Sequence, residues 1–237
     1  MTPDSGIETE PEPETGPPAS RPPAPAPVPA AGLMAAITAE RRDQLAVLTA
    51  LRPDEWDAPT LCAGWRVREV VAHQTMPFRY SGGRFALELA RDAGRFHRMA
   101  DRTARRDAAA MTPGQLLSAL RDNLDHPWKP PGGGLAGALA HDVIHGLDIT
   151  TARPAGRAVP LDRIAFVLDQ VSSMRRSPFG VDLAGVALRA DDLDWALGAG
   201  EPLAGAAQDL LLACCGRSLP AGLLRGPASQ RFTMASA

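Results

Sequence analysis

Lysine is almost missing from this chain: Lys129 stands alone in a combined Lys and Arg total of 25. That bias, together with abundant Ala, Pro and Gly, reads as the imprint of a GC-rich genome and carries no chemistry of its own. Cysteine is scarce as well. Cys62 and the adjacent Cys214 and Cys215 make no disulfide framework, because vicinal cysteines rarely bridge and the count is odd. No apolar run reaches the roughly 18 residues needed to span a bilayer. Excess charge is lacking too, since a formal net charge of −2 leaves no electrostatic footprint for nucleic acid or an anionic membrane. The N-terminus has no basic region followed by an apolar stretch, so no secretory signal is expected. These absences point to a cytoplasmic protein with neither a nucleic-acid nor a membrane partner.

What is present falls into three parts. Residues 1–32 are almost entirely Pro, Glu, Ala, Thr and Ser, and cannot bury enough apolar surface to offset their ordering entropy; this reads as a disordered tail. Residues 33–155 carry helical patterns. Ile37, Leu45, Leu48 and Leu51 make an amphipathic helix ended by Pro53. A compact turn from Trp56 to Trp65 leads into a helix from about Val67 to Thr75, which Pro77 is expected to stop. A further helical segment is expected over about 83–101. Thr112-Pro-Gly-Gln115 resembles a capping box opening another helix, and Leu135 to Thr150 forms the last. Arg153-Pro-Ala-Gly156 breaks the pattern. Beyond it, residues 156–237 read as a small α+β domain: a helix over Leu161–Met174, a hairpin of Val186–Ala190 and Leu193–Leu197 turning at Asp191-Asp192, and an apolar helix over Gly205–Cys215.

Three of the five histidines sit where spacing is informative. His141 and His145, four apart on a helix, put both imidazoles on one face, as two ligands of one divalent ion would require. Asp148, three residues on, is placed to hold a ring N–H and fix a tautomer. His73, beside Val70 and Val71, supplies a possible third ligand, and three protein ligands with an open position is the catalytic zinc pattern. Hydrogen-bonded core histidines explain the same spacing. His97 and His126 look like surface or helix-end residues without a role.

Trp56-x-x-Pro59-Thr60-x-Cys62-x-Gly64-Trp65-x-Val67-x-x-Val70-Val71-x-His73 resembles the N-terminal signature of the DinB-like metal-dependent superfamily. More narrowly, it resembles the mycothiol-dependent maleylpyruvate isomerase family. His141-Asp-Val-Ile-His145-Gly-Leu-Asp148 resembles that family's second metal motif, and the stretches Leu188–Gly198 and Asp209–Arg217 resemble its C-terminal hairpin and Gly-Arg helix end. The resemblance implies a mainly α fold, a DinB-like four-helix bundle followed by a small α+β C-terminal domain. It implies a divalent metal, zinc foremost, on His73, His141 and His145, and mycothiol as thiol cosubstrate. The reaction implied is isomerisation or S-transfer on a small electrophile, in a monomer or homodimer. Where the isomerase pattern has a Glu/His pair, this chain has His141, which leaves three neutral ligands and puts the specific isomerase activity in doubt. A non-catalytic metal-binding stress or regulatory protein is the alternative. Arg217 is the first candidate to meet an anionic substrate, or else caps the preceding helix; Arg79 and Arg84 are weaker candidates. Cys62, Trp56, Trp65 and Trp195 read as packing residues, and Cys214 and Cys215 as small hydrophobes.

Overall fold

The computed structural model describes residues 30–153, 156–173 and 179–235. Of the tail expected over 1–32, residues 30–32 belong instead to the first helix, and 1–29 lie outside the described residues, as do Pro154, Ala155 and Met174. Six helices come first: α1 (Ala30–Thr49), α2 (Val67–Arg79), α3 (Gly82–Arg91), α4 (Phe96–Ala110), α5 (Pro113–Arg121) and α6 (Gly134–Thr150). A 3-10 turn, Pro53–Asp57, follows α1, where Pro53 keeps the chain from continuing as a helix. Then come α7 (Leu161–Ser173), β1 (Val186–Ala190), β2 (Ala196–Leu197), β3 (Glu201–Gly205), α8 (Ala207–Cys214) and β4 (Leu224–Arg225). The fold is mainly helical, with a small sheet at its C-terminal end.

Helices α1, α2, α5 and α6 pack on one another as a four-helix core, and α4 lies along α2 with α3 against it. Val67, Val70 and Val71 turn one face of α2 into an apolar cluster with Leu48, Leu116, Leu120 and Ile149. The opposite face of α6 belongs to a second, larger cluster. There Leu139, Val143 and Leu147 meet Ile37 of α1, Ile164 and Leu168 of α7, and Leu210 and Leu211 of α8. One apolar core therefore runs across position 155.

Three details depart from the sequence expectation. First, α2 does not stop at Pro77 but continues to Arg79, and Tyr80 N–H still donates to Met76 O at 3.0 Å. Pro77 forfeits a single ladder bond, and Arg79 Nη2 donates to Ala72 O at 2.7 Å in the same turn. Second, the helix expected over 83–101 is two helices. Ala93 (φ 53°) and Gly94 (φ 75°) are both left-handed, and Gly94 N–H closes on Leu89 O. This is a helix C-terminal motif, after which α4 starts afresh and runs on to Ala110. Third, the hairpin is real but its second strand is only Ala196–Leu197, because Asp191 to Trp195 are spent in the turn. The sheet gains β3, parallel to β1, and the order is β2-β1-β3-β4. The capping box at α5 is present as read: Gln115 N–H donates to Thr112 Oγ1, and Thr112 N–H donates to Gln115 Oε1.

Candidate metal centre

The turn between the first 3-10 segment and α2 is folded by its own residues. Thr60 N–H and its hydroxyl both donate to Trp65 O, Trp65 N–H donates to Cys62 O, and Gly64 takes φ 76°. Leu61 N–H then donates to Asp148 O at 3.0 Å, which docks the turn on α6 and brings Cys62 and Trp65 against it. His73 comes from the middle of α2, and His141 and His145 from successive turns of α6. One ring nitrogen from each of these three histidines lies within 4.8 Å of the others. His73 Nε2 and His141 Nε2 are 3.3 Å apart. The Trp65 ring centre lies 5.1 Å from that of His73, and the Trp128 ring stands edge-on to His141 at 5.1 Å.

Both histidines of α6 are oriented by carboxylates. His145 Nδ1 lies 3.0 Å from Asp148 Oδ2, and His141 Nδ1 lies 3.1 Å from Asp142 Oδ1. A proton on each Nδ1, directed at its carboxylate, would leave both rings an Nε2 lone pair facing inward. His73 Nδ1 is buried with no partner among the described residues. Whichever tautomer His73 adopts, then, a buried nitrogen goes unsatisfied or two lone pairs face each other. A cation between the rings takes up the facing Nε2 lone pairs, while His73 Nδ1 stays without a partner among the described residues. A tetrahedral ion at about 2.0–2.1 Å from each nitrogen sets neighbouring donors roughly 3.3 Å apart, the separation found between His73 and His141. The residues fit a divalent metal.

Burial, and then the neighbouring His145 and His141, hold the His73 pKa well below its usual range. Burial likewise lowers His145, against the pull of Asp148. Neutral rings at pH 7 are what a metal needs. Burial alone would raise the Asp148 carboxyl, but hydrogen bonds from His145 and Arg217 and the guanidinium charge keep it far below the ordinary carboxylate range.

Arg217 reaches this carboxylate because of a glycine. Gly216 (φ 72°) ends α8 in a left-handed turn, with Gly216 N–H on Ala213 O and Arg217 N–H on Leu212 O. The guanidinium folds back, giving Nε to Asp148 Oδ1 at 2.8 Å and Nη2 to Asp148 Oδ2 at 3.0 Å, while Nη1 donates to Cys215 O. Arg217 thus does cap α8, and it also adjoins the histidines. Arg79 and Arg84 lie elsewhere: Arg79 pairs with Asp107, and Arg84 sits over the Tyr80 ring at 3.8 Å.

Cys62, read as packing, is in the site. Its Sγ is 3.0 Å from Asp148 Oδ2, 3.4 Å from Arg217 Nη2 and 3.8 Å from His145 Nδ1. Burial and the Asp148 charge push its thiol up, so it stays protonated. Asp142, Trp128 and Arg41 also escaped the sequence reading. Residues i and i+1 of a helix do not face each other, so no spacing rule pairs Asp142 with His141.

Residues 37–126 match the family model of the mycothiol maleylpyruvate isomerase N-terminal domain. Cys62, Trp65 and His73 fall inside that segment; His141, His145 and Arg217 lie beyond it. The fold resembles two solved structures, a mycothiol-dependent maleylpyruvate isomerase and a histidine-to-alanine mutant of it. They are 12% and 13% identical to this chain, with TM-scores of 0.57 and 0.56. Each match covers 85% of this chain and 94% of the other. No curated protein matches. The resemblance carried by the Trp56–His73 motif is borne out over the matched segment, and the fold class over most of the chain.

Proposed function

We propose that this chain is a divalent-metal- and mycothiol-dependent isomerase or S-transferase acting on a small electrophile, with His73, His141 and His145 as the metal ligands. The observation that carries the reading is the convergence of three imidazoles, two with Nδ1 held by a carboxylate, on one point between α2 and α6. A divalent ion held there, zinc foremost, lowers the pKa of a thiol that reaches it, so that a thiolate nucleophile exists near neutral pH.

The protein's own part is orientation and charge. Asp142 is paired with Arg41 and Asp148 with Arg217, so each carboxylate near the histidines has its own guanidinium. None of the three ligands is a carboxylate and these ion pairs cancel, so among the described residues Asp142 and Asp148 do not compete with an anionic thiol for the cation. His141 and His145 keep some exposure, at 15% and 13% of their side chains, so a small thiol has an approach. Trp65 and Trp128 flank the histidines with flat apolar surface and limit water there. Arg217 is assigned the anionic end of the substrate. Nε and Nη2 are committed to Asp148 and Cys62, which leaves one Nη1 hydrogen to offer.

That same commitment favours a second reading, a metal-binding protein without turnover. Two measurements on one preparation separate the readings. Protein purified from metal-replete cells should hold about one equivalent of metal, lost in His141→Ala and His145→Ala; metal-free wild type would overturn both. Mycothiol-dependent conversion of a cis-configured conjugated acid or a model electrophile supports the enzyme. Binding of metal and thiol with no turnover across such a panel supports the second reading.

A further inference from the structure

The pair Asp148–Arg217 props His145, and a second pair, from a different part of the fold, stands behind His141. Resting on the reading of His141 as a metal ligand, we propose that Asp142 and Arg41 are positioning residues that hold His141 in its Nδ1–H tautomer, Nε2 free for the metal. Asp142 presents Oδ1 to His141 Nδ1 at 3.1 Å and Oδ2 to Arg41 Nε at 2.8 Å. Both are almost fully buried, Arg41 at 1% and Asp142 at 3% exposure. Arg41 comes from α1 and is itself fixed. Its Nη1 donates to the carbonyls of Asn123, Leu124 and His126, in the loop after α5, and its guanidinium lies 4.8 Å from the Phe78 ring centre.

Stability alone does not explain this arrangement. Removing an arginine and an aspartate from water costs about what their attraction returns, and apolar residues of the same volume serve a core as well or better. What the charged pair supplies is an acceptor that cannot turn away. Neighbours on a helix point in different directions, so Asp142 faces His141 only because Arg41 fixes its other oxygen. A carboxylate ligand at position 141 would have no Nδ1 to orient, so this prop belongs with a histidine there. The second half of the motif therefore consists of His141-Asp142 together with an arginine a hundred residues upstream.

The test uses the full chain. In metal-free protein labelled with 15N-histidine at pH 8, NMR should find His141 protonated on Nδ1; an Nε2–H tautomer would overturn the proposal with no variant needed. In Asp142→Asn, Arg41 still requires an acceptor and takes the amide oxygen, which turns the NH2 group toward His141. The ring should then switch to Nε2–H, and Zn2+ affinity measured against a competing chelator should fall about 10- to 100-fold. The double variant Arg41→Met/Asp142→Asn frees the amide to rotate and should recover part of that loss, which a merely structural role would not produce. Asp142→Asn that melts like wild type, keeps the Nδ1–H tautomer and binds Zn2+ as tightly would also overturn it. Wild-type protein that binds no metal would instead defeat the reading of the centre, leaving the tautomer result to stand by itself.

Discussion

At the scale of single residues, the cysteines give the sharpest contrast between sequence and surroundings. Cys214 is pushed up to about 12 by burial, and burial raises Cys62 and Cys215 further still. A thiol whose pKa lies above the working pH is protonated and unreactive. Folded protein at pH 8 should therefore resist iodoacetamide, with full alkylation appearing by mass spectrometry only in denaturant; prompt labelling of Cys62 would contradict this. Arg217 offers a second case. Arg217→Met leaves Asp148 buried without its counter-charge and should destabilise the fold by about 3–5 kcal/mol. Arg217→Lys should lose less, since it keeps the charge and drops only the bidentate geometry; denaturant melts of the two would rank them. The three histidines were legible because i, i+4 spacing and a signature turn report directly on a helix face. Arg41 and Asp142 were not, because their bearing on His141 depends on how α1 crosses α6, which no local pattern encodes.

Secondary elements were legible where the periodicity was strong and unreadable where tertiary pairing overrode it. The α5 capping box and the core face of α6 follow from local sequence. Strand β3 does not, because Glu201-Pro-Leu-Ala-Gly205 contains a proline and lacks alternation; it exists because β1 lies alongside it in parallel register. The α3–α4 break turns on backbone handedness, which invites a comparison. Gly94 has φ 75° and open space where a Cβ would go, so Gly94→Ala should cost only left-handed strain, about 1 kcal/mol. A Cβ at Gly198 would collide with the Val186 carbonyl, so Gly198→Ala should cost several times more by thermal melting and loosen the β1–β2 hairpin. Near the start of α8, burial and the nearby Asp192 raise the Asp209 carboxyl to about 6, against about 3.9 unperturbed. The folded state therefore binds the proton more tightly than the unfolded one, and stability is lost as pH rises from about 4 to 6. Asp209→Asn should be more stable than wild type at pH 7.5, by on the order of 1 kcal/mol, and the advantage should vanish near pH 4.

For the whole molecule, the continuity of the core across position 155 matters more than chain order. A fragment ending there would expose Leu139, Val143 and Leu147 where α7 and α8 now cover them, and should aggregate or fail to give a cooperative melt. Metal should act on the whole molecule as well. An ion that binds only the folded chain adds about 2.7 kcal/mol at a hundred times its Kd. For a chain of this size that is roughly 5–10 °C in Tm, reversed by chelator and absent in His145→Ala. Overall class was legible because helical periodicity dominates the chain. The shared core was not, since apolar faces in a sequence do not say which partner they will meet.

Asp148 gives this architecture an order in time. A ribosome releases His73, His141 and His145 before it releases Arg217, and until the Gly216 turn has closed, Asp148 has no guanidinium to hold it. The brace of His141, Asp142 with the upstream Arg41, is therefore synthesised before the brace of His145, which waits for Arg217. On the proposed reading of the centre, tight capture of an ion is expected only after the C-terminal helices have closed on α6 and Arg217 has reached Asp148.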